Sequence, residues 1–255
     1  MITAYHRPQT LDDALTLLAQ PNAMPLGGGT LLSHGTSDSV EAVDLQLLGL
    51  NYLTKKGNEL EMGATLTLQG LLESEYCPAA LKSALKLEAP LNLRNSATVA
   101  GTLVTCDGRS TFATVLLALD AKIHIKSSKA DSQTAIIGDF LPLRPGGLIT
   151  SITIPTNLKL AFEYVARTPA DKPIVCAALA QWNSGRMRLA LGGYGKSPML
   201  GMDGTESEGV DTSINSVQAA ARNAFYEATD EWASAGYRMD VAATLAKRCL
   251  NQLRA

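Results

Sequence analysis

The chain has 255 residues, of which 46% are hydrophobic, 18% charged and 5% aromatic, and 22 Lys and Arg against 24 Asp and Glu leave a formal charge of −2. That is chain enough for a sizeable core, as one large domain or two to three small ones, and the charge balance argues against the strongly basic face that nucleic acid requires. No apolar run approaches the roughly 18 residues of a membrane span, and Met1-Ile2-Thr3-Ala4-Tyr5-His6-Arg7-Pro8 lacks the apolar core of a secretory leader, which predicts a cytoplasmic protein.

In chain order, Thr10 caps a predicted helix whose apolar positions Leu11, Ala14, Leu15 and Leu18 recur at helical spacing, with Asp13 three residues after the cap. A short strand at Met24–Leu26 runs into Gly27-Gly28-Gly29-Thr30, and Glu41–Leu45 is a second. Leu53–Ala64 reads as a hairpin turned at Gly57-Asn58, with Leu60, Met62 and Ala64 alternating. Helices are predicted at Leu68–Glu73 and Ala79–Leu87, ended by Pro90. Asn92–Thr111, rich in Gly, Ser, Thr and Asn, has little periodicity and reads as a long ordered loop, a kind that tends to be functional. A helix at Phe112–Leu119 and strands at Lys122–Lys126 and Leu148–Ile154 follow.

The remainder has a different texture. Ala161–Ala166, Ile174–Trp182 and Arg186–Leu191 read as strands, the last two joined at Asn183-Ser184-Gly185. After Gly192-Gly193-Tyr194-Gly195 and a polar stretch at Asp203–Asp211, helices at Ile214–Ala228 and Ala235–Leu253 finish the chain. Strands followed by helices predict an α+β unit, with a boundary near Pro155–Leu160.

Residues for demanding chemistry are scarce. Cys77, Cys106, Cys176 and Cys249 are far apart, with no CxxC pair, so a zinc or iron–sulfur site on this chain and a disulfide framework are both disfavoured. The histidines His6, His34 and His124 fall in no metal-spaced motif, and neither GxSxG nor GxxxxGK[ST] is present. Two segments remain. Three glycines after a strand allow backbone N–H groups to converge on one point, a nest for anionic oxygens, with the Thr30 hydroxyl beside it; a plain turn is the simpler reading, and the Rossmann GxGxxG is absent. In Asn92–Leu103, hydroxyls and small residues alternate with short apolar ones, a texture suited to close approach by a flat or phosphorylated ligand and equally to a polar surface loop.

Taken together, the segments resemble the flavin-binding subunit of the molybdenum hydroxylases, the group of xanthine dehydrogenase and aerobic carbon monoxide dehydrogenase. The likeness runs nearly end to end: Tyr5-His6-Arg7-Pro8, Pro25–Thr30, Val43-Asp44-Leu45, Met62-Gly63-Ala64-Thr65, Leu93–Thr102 against the family's "IRN-x-ATIGG-N", Leu116–Ala121, and Asp230–Arg238 at the start of the last helix. The resemblance implies an α+β fold of the vanillyl-alcohol-oxidase/PCMH type, with FAD-binding subdomains at residues 1–52 and 53–157 and a C-terminal α+β domain with a small antiparallel sheet at 158–255. It implies FAD as cofactor, with Leu26, Gly27, Gly28, Gly29 and Thr30 at the diphosphate and Thr98, Ala100, Gly101 and Thr102 along the rest. Ala100 and Thr102 depart from the family's Gly-Gly-Asn. Thr111 aligns with a family aspartate that accepts bonds from flavin hydroxyls, and Asp107 is the nearest carboxylate. Arg167 and Asp171 match a pattern on the flavin-ring side, followed by Lys172, which can place positive charge beside a reduced flavin.

The implied function is an oxidoreductase subunit that passes electrons through FAD to NAD or a quinone. Its partners are a molybdopterin-containing large subunit, where substrate is oxidised, and a small subunit with two 2Fe-2S clusters. The substitutions at Ala100, Thr102 and Thr111 motivate an alternative, a structural subunit that has lost flavin, and a free-standing FAD-dependent reductase of related fold is another.

Overall fold

The computed structural model describes residues 1–32, 39–127 and 131–255; His34 lies outside them. Strands β1 (Ile2–His6), β2 (Ala23–Leu26) and β3 (Val40–Asp44) form a parallel sheet in the order β1-β3-β2, with helix α1 (Leu11–Leu18) between the first two in sequence. Helix α1 begins as its sequence requires: the Thr10 hydroxyl accepts the Asp13 N–H at 3.2 Å and donates to the Asp13 carboxylate at 2.6 Å. Pairing of Leu26 with Asp44 sets the end of β2 beside the end of β3, and the glycine turn leaves the sheet there.

The second sheet has five antiparallel strands in the order β4-β5-β8-β6-β7: β4 (Leu53–Lys56), β5 (Glu59–Gly63), β6 (Lys122–Lys126), β7 (Ser132–Ile136) and β8 (Leu148–Pro155). Its helices are α2 (Leu68–Glu73), α3 (Ala79–Glu88), α4 (Leu91–Arg94), α5 (Val99–Thr105), α6 (Thr111–Ala118) and α7 (Ile137–Leu143). The third sheet, β12-β11-β10-β9, is antiparallel and built from β9 (Leu158–Val165), β10 (Val175–Trp182), β11 (Met187–Gly192) and β12 (Met199–Gly204). Helices α8 (Ile214–Ala224) and α9 (Ala235–Arg254) close the chain.

The core explains the apolar texture of the middle of the chain. Every residue of α6 is buried. Such a helix needs apolar neighbours on all sides, and it has them in α3 and in β10 and β11. Strand β10 is buried along most of its length because both its faces are covered: Cys176, Ala178 and Ala180 join the α6 core, whereas Val175, Ala177 and Leu179 meet α8 and α9. The alternation is the two-residue period of a strand between two helical layers. An α+β architecture with a small antiparallel C-terminal sheet is thus what the sequence anticipates.

Local differences have local causes. Asn92–Thr111, expected as an irregular loop, contains α4 and α5. Helix α5 is started by Thr98, whose hydroxyl accepts the Gly101 N–H at 3.2 Å, and tertiary pairing holds it: Leu68 N–H to Ala97 O at 2.9 Å and Val99 N–H to Leu66 O at 2.9 Å. Strands β1, β7 and β12 and helix α7 are absent from the sequence reading. The three strands lie at sheet edges, where burial imposes little pattern. Helix α8 stops at Ala224, four residues short of the expected end.

Candidate functional site

A cleft of about 600 Å³ opens between the end of the parallel sheet and the α4–α5 loop, lined by Leu26, Gly27, Gly28, Gly29, Gln46, Asn51, Thr65, Thr67, Asn95 and Ser96. Its size is that of a small-molecule or cofactor site. On one side, the triglycine turn lies directly on the loop. A Cβ on Gly28 would stand 1.6 Å from the Ser96 carbonyl oxygen, and one on Gly27 would meet the Thr98 hydroxyl at 3.0 Å. Gly28 is therefore glycine because the turn packs backbone to backbone there, whereas Gly27 lies against the Thr98 side chain. Gly29 has φ +71°, the left-handed region that glycine enters without cost. The amides of Gly27 and Gly28 donate to no acceptor among the described residues.

The other wall is built by Gly63. A side chain there would strike the Leu50 carbonyl oxygen at 2.1 Å and the Tyr52 ring at 2.7 Å. Its absence lets the end of β5 lie against residues 50–52, through Gly63 N–H to Tyr52 O at 2.9 Å and Thr65 N–H to Leu50 O at 3.1 Å. Asn51 and Thr65 reach the cleft by this route. Gln46 is set by Asp44, whose carboxylate accepts the Gln46 N–H at 2.9 Å and also bonds the Tyr5 hydroxyl.

Of the sequence-derived candidates, Leu26, Gly27, Gly28 and Gly29 line the cleft, with Thr30 next in the turn. Thr98 lies buried under Gly27 as the cap of α5, and Ala100, Gly101 and Thr102 are its first helical turn. Ala100 has ordinary negative φ, so its place in a glycine position carries no backbone strain. The remaining candidates lie elsewhere. Thr111 is fully buried, its hydroxyl 2.7 Å from Ala84 O and 3.1 Å from the Glu88 carboxylate, so it is a core residue between α3 and α6 and offers nothing to a ligand. Asp107 caps its own turn through the Arg109 N–H at 2.9 Å and faces the Lys172 ammonium at 3.5 Å. Gln46, Asn51, Thr65 and Thr67 are lining residues that no role in the sequence reading covers, although Thr65 ends the quoted segment Met62–Thr65.

Beyond α5, the chain is fastened from two sides. Arg144 donates to the carbonyls of Leu103, Val104 and Cys106 at the helix end and approaches the Cys106 thiol at 3.2 Å. Burial pushes the Cys106 thiol pKa up, and the guanidinium draws it only part of the way back. Gly108 exchanges bonds with Gly193 and Gly195, at 2.6 and 2.9 Å. The Trp232 ring takes the guanidinium groups of Arg109 at 4.3 Å and Arg167 at 4.4 Å from its centroid.

A family described as the FAD binding domain in molybdopterin dehydrogenase matches residues 1–157. The chain belongs to that family. Members similar to this FAD-binding chain include the glyceraldehyde dehydrogenase medium chain of Sulfolobus acidocaldarius, 25% identical over 276 residues, which span 98% of each chain. The putative xanthine dehydrogenase FAD-binding subunit XdhB of Escherichia coli K12 is 26% identical over 282 residues, 98% of this chain and 95% of that one. The solved structure of CO dehydrogenase from Oligotropha carboxidovorans shares the fold, with a TM-score of 0.82 at 24% identity over 98% of this chain and 97% of its own. FAD is accordingly the cofactor, and flavin oxidoreduction the class of chemistry.

The cleft fits such a dinucleotide on its own features. Among the described residues, two unengaged amides at the glycine turn suit anionic oxygens, and the Thr65 hydroxyl of the same lining is buried without a hydrogen-bond partner. Among the described residues no group of three or more His, Cys, Asp or Glu could hold a metal ion, and no helix is long and apolar enough to cross a membrane.

Proposed function

We propose that this chain is the flavoprotein subunit of a molybdenum hydroxylase complex. In this reading substrate is oxidised on a molybdopterin-containing large subunit, electrons travel through two 2Fe-2S clusters of a small subunit, and an external acceptor, NAD or a quinone, takes them from this chain. The observation that carries the reading is the cleft between the triglycine turn and the α4–α5 loop, every lining residue of which falls within the span matched to the FAD-binding family. The names of the relatives, a medium chain and an FAD-binding subunit, support an assembly of several polypeptides.

Bound FAD supplies a carrier that can be filled one electron at a time and emptied two at a time. The protein's part is to hold and orient it. The Gly27 and Gly28 amides would hold its anionic oxygens, and the packed turn and loop fix the width of the cleft. Thr98 anchors α5 beneath them, and Arg144 secures the far end of that helix. Lys172 and Arg167 add positive charge on the segment after β9, where reduced flavin or an anionic acceptor would be favoured.

The test is to purify the affinity-tagged full chain from its native cells with whatever accompanies it. A visible spectrum, extracted cofactor and elemental analysis of each subunit then decide. The expected result is one FAD per copy of this chain, molybdenum with a larger partner and iron with a smaller one. A colourless chain, or one recovered without molybdenum and iron, overturns the reading.

A further inference from the structure

We propose that Thr65 is a binding residue for the FAD diphosphate, in the cleft it lines together with the triglycine turn; the inference rests on the FAD reading above. Thr65 lines the cleft and is only 9% exposed, yet its hydroxyl oxygen is buried and has no hydrogen-bond partner among the described residues. An unsatisfied buried hydroxyl is a standing cost to the fold, so its presence asks for a partner that the protein alone does not supply.

The neighbouring hydroxyls sharpen the contrast. Thr67 and Thr98, two and thirty-three positions further on, both cap helices: their oxygens accept the N–H groups of Gly70 at 3.0 Å and Gly101 at 3.2 Å. Each therefore has a structural occupation. Thr65 has none, although its backbone is held as firmly as theirs, by its bond to Leu50 O and by the bridge between Thr67 and Thr98 that follows it. A step of roughly 120° about χ1 moves a threonine hydroxyl to another staggered position about its Cβ. In our reading such a step turns the hydroxyl toward the cleft it lines, to donate to an anionic oxygen alongside the Gly27 and Gly28 amides. The lining residues nearest in sequence to each wall, Asn51 and Ser96, carry no charge, so an anion held there meets donors and no carboxylate.

The test compares the wild-type full chain with Thr65→Val, Thr65→Ser and Thr65→Ala, stripped of flavin. Flavin fluorescence on titration gives FAD affinity, displacement by ADP isolates the diphosphate and adenosine half, and thermal unfolding reports the empty chain. Loss of one bond to a charged group is expected to weaken FAD and ADP alike by about ten- to a hundredfold in Thr65→Val and Thr65→Ala. Thr65→Ser is expected to stay within about twofold. The empty Thr65→Val chain is expected to unfold no earlier than wild type, since removing an unpartnered hydroxyl relieves a cost; a hydroxyl serving only the fold would move stability the other way. Full FAD affinity in Thr65→Val, or equal loss in Thr65→Ser, overturns the proposal while leaving the FAD reading standing. Weakened FAD with unchanged ADP overturns the diphosphate assignment. A wild-type chain that binds no FAD overturns the functional reading and this one with it.

Discussion

Gly28 and Ser96 meet backbone against backbone, so close that a single added carbon on Gly28 would lie 1.6 Å from the Ser96 carbonyl oxygen. That contact sets the spacing between the two strips of chain that form one side of the cleft. In Gly28→Ala the turn must lift off the loop, because the obstacle is main chain and has no rotamer to change. We expect a destabilisation of about 1 to 3 kcal/mol, the usual cost of overpacking, and loss of FAD from a chain that still folds. Gly146→Ala, at a position with nothing within 4 Å of the added carbon, is the control. Flavin absorbance per protein and the urea midpoint are the measurements, and full flavin occupancy in Gly28→Ala would show that the turn is not a wall of the site.

Arg144 sits in the left-handed region at φ +45° and donates to four carbonyls, those of Leu103, Val104, Cys106 and Leu141. A strained backbone is kept only where surrounding bonds enforce it, and here they fasten the end of α5. Arg144→Ala removes every one of those bonds while leaving the strain. The expected loss is about 2 to 4 kcal/mol in denaturant unfolding, given that hydrogen bonds from charged donors contribute about 1.5 to 3 kcal/mol each and that this guanidinium is partly solvated. Arg144→Gly should recover part of it, since glycine accepts that backbone freely. A glycine variant no more stable than the alanine one would place the strain elsewhere.

Two aspartates tie stability to acid pH. Burial by itself would raise the Asp203 pKa, but the guanidinium groups of Arg186 and Arg188 outweigh it and hold the pKa below the ordinary aspartate value. Asp230 behaves alike: burial works against the charge, and the bonds from Arg238 and from the Trp232 and Ala233 amides prevail. A folded-state pKa below the unfolded one means stability that is complete above about pH 4 and lost as pH falls through the folded values. Asp230→Asn should remove the Asp230 share of that acid-sensitive stability, leaving the Asp203 share. It leaves the buried Arg238 without its carboxylate but still bonded to the Ala228 and Ala233 carbonyls, for a loss of about 1.5 to 3 kcal/mol at neutral pH. Chemical denaturation from pH 7 to pH 3 checks both statements, and an unchanged acid slope in Asp230→Asn would refute the coupling.

Much of this architecture can be read from residue order, and the misses share a cause. The Thr10–Asp13 cap and the Gly57-Asn58 hairpin are local, each needing only a few consecutive residues, and both form. Helices α4 and α5 are not local in that sense. Leu93, Thr98 and Thr102 sit among residues with weak helical preference, and pairing of Leu66–Leu68 with Ala97–Val99 makes the segment regular. The glycine side of the site is legible because Gly27, Gly28 and Gly29 are adjacent. The rest of the lining comes from distant positions: Gln46 is set by Asp44, and Asn51 and Thr65 reach the cleft only once Gly63 lets β5 close on residues 50–52. Thr111 shows the other side: its place in the family pattern puts it at the cofactor, and in the fold its hydroxyl is engaged by Ala84 and Glu88.

The four cysteines offer a test of packing at alkaline pH. Burial pushes the thiols of Cys77 and Cys176 up to about 12 and raises that of Cys249 as well. Cys106 is raised less decisively, because Arg144 stands beside it. Thiolate is the reactive form, so alkylation of the native chain at pH 8 should mark Cys106 first and leave the other three until unfolding. The same shifts give a sign for stability. A thiol that keeps its proton in the folded state and loses it near pH 8.5 to 9 when unfolded makes stability constant below that range and falling above it, by about 1.4 kcal/mol per pH unit for each such thiol. Mass spectrometry of labelled peptides and unfolding between pH 8 and pH 11 measure the two effects. Labelling of Cys176 as fast as Cys106 in the native chain would mean that α6 does not cover β10 as described, since that thiol is sealed between Thr114 and Gly192.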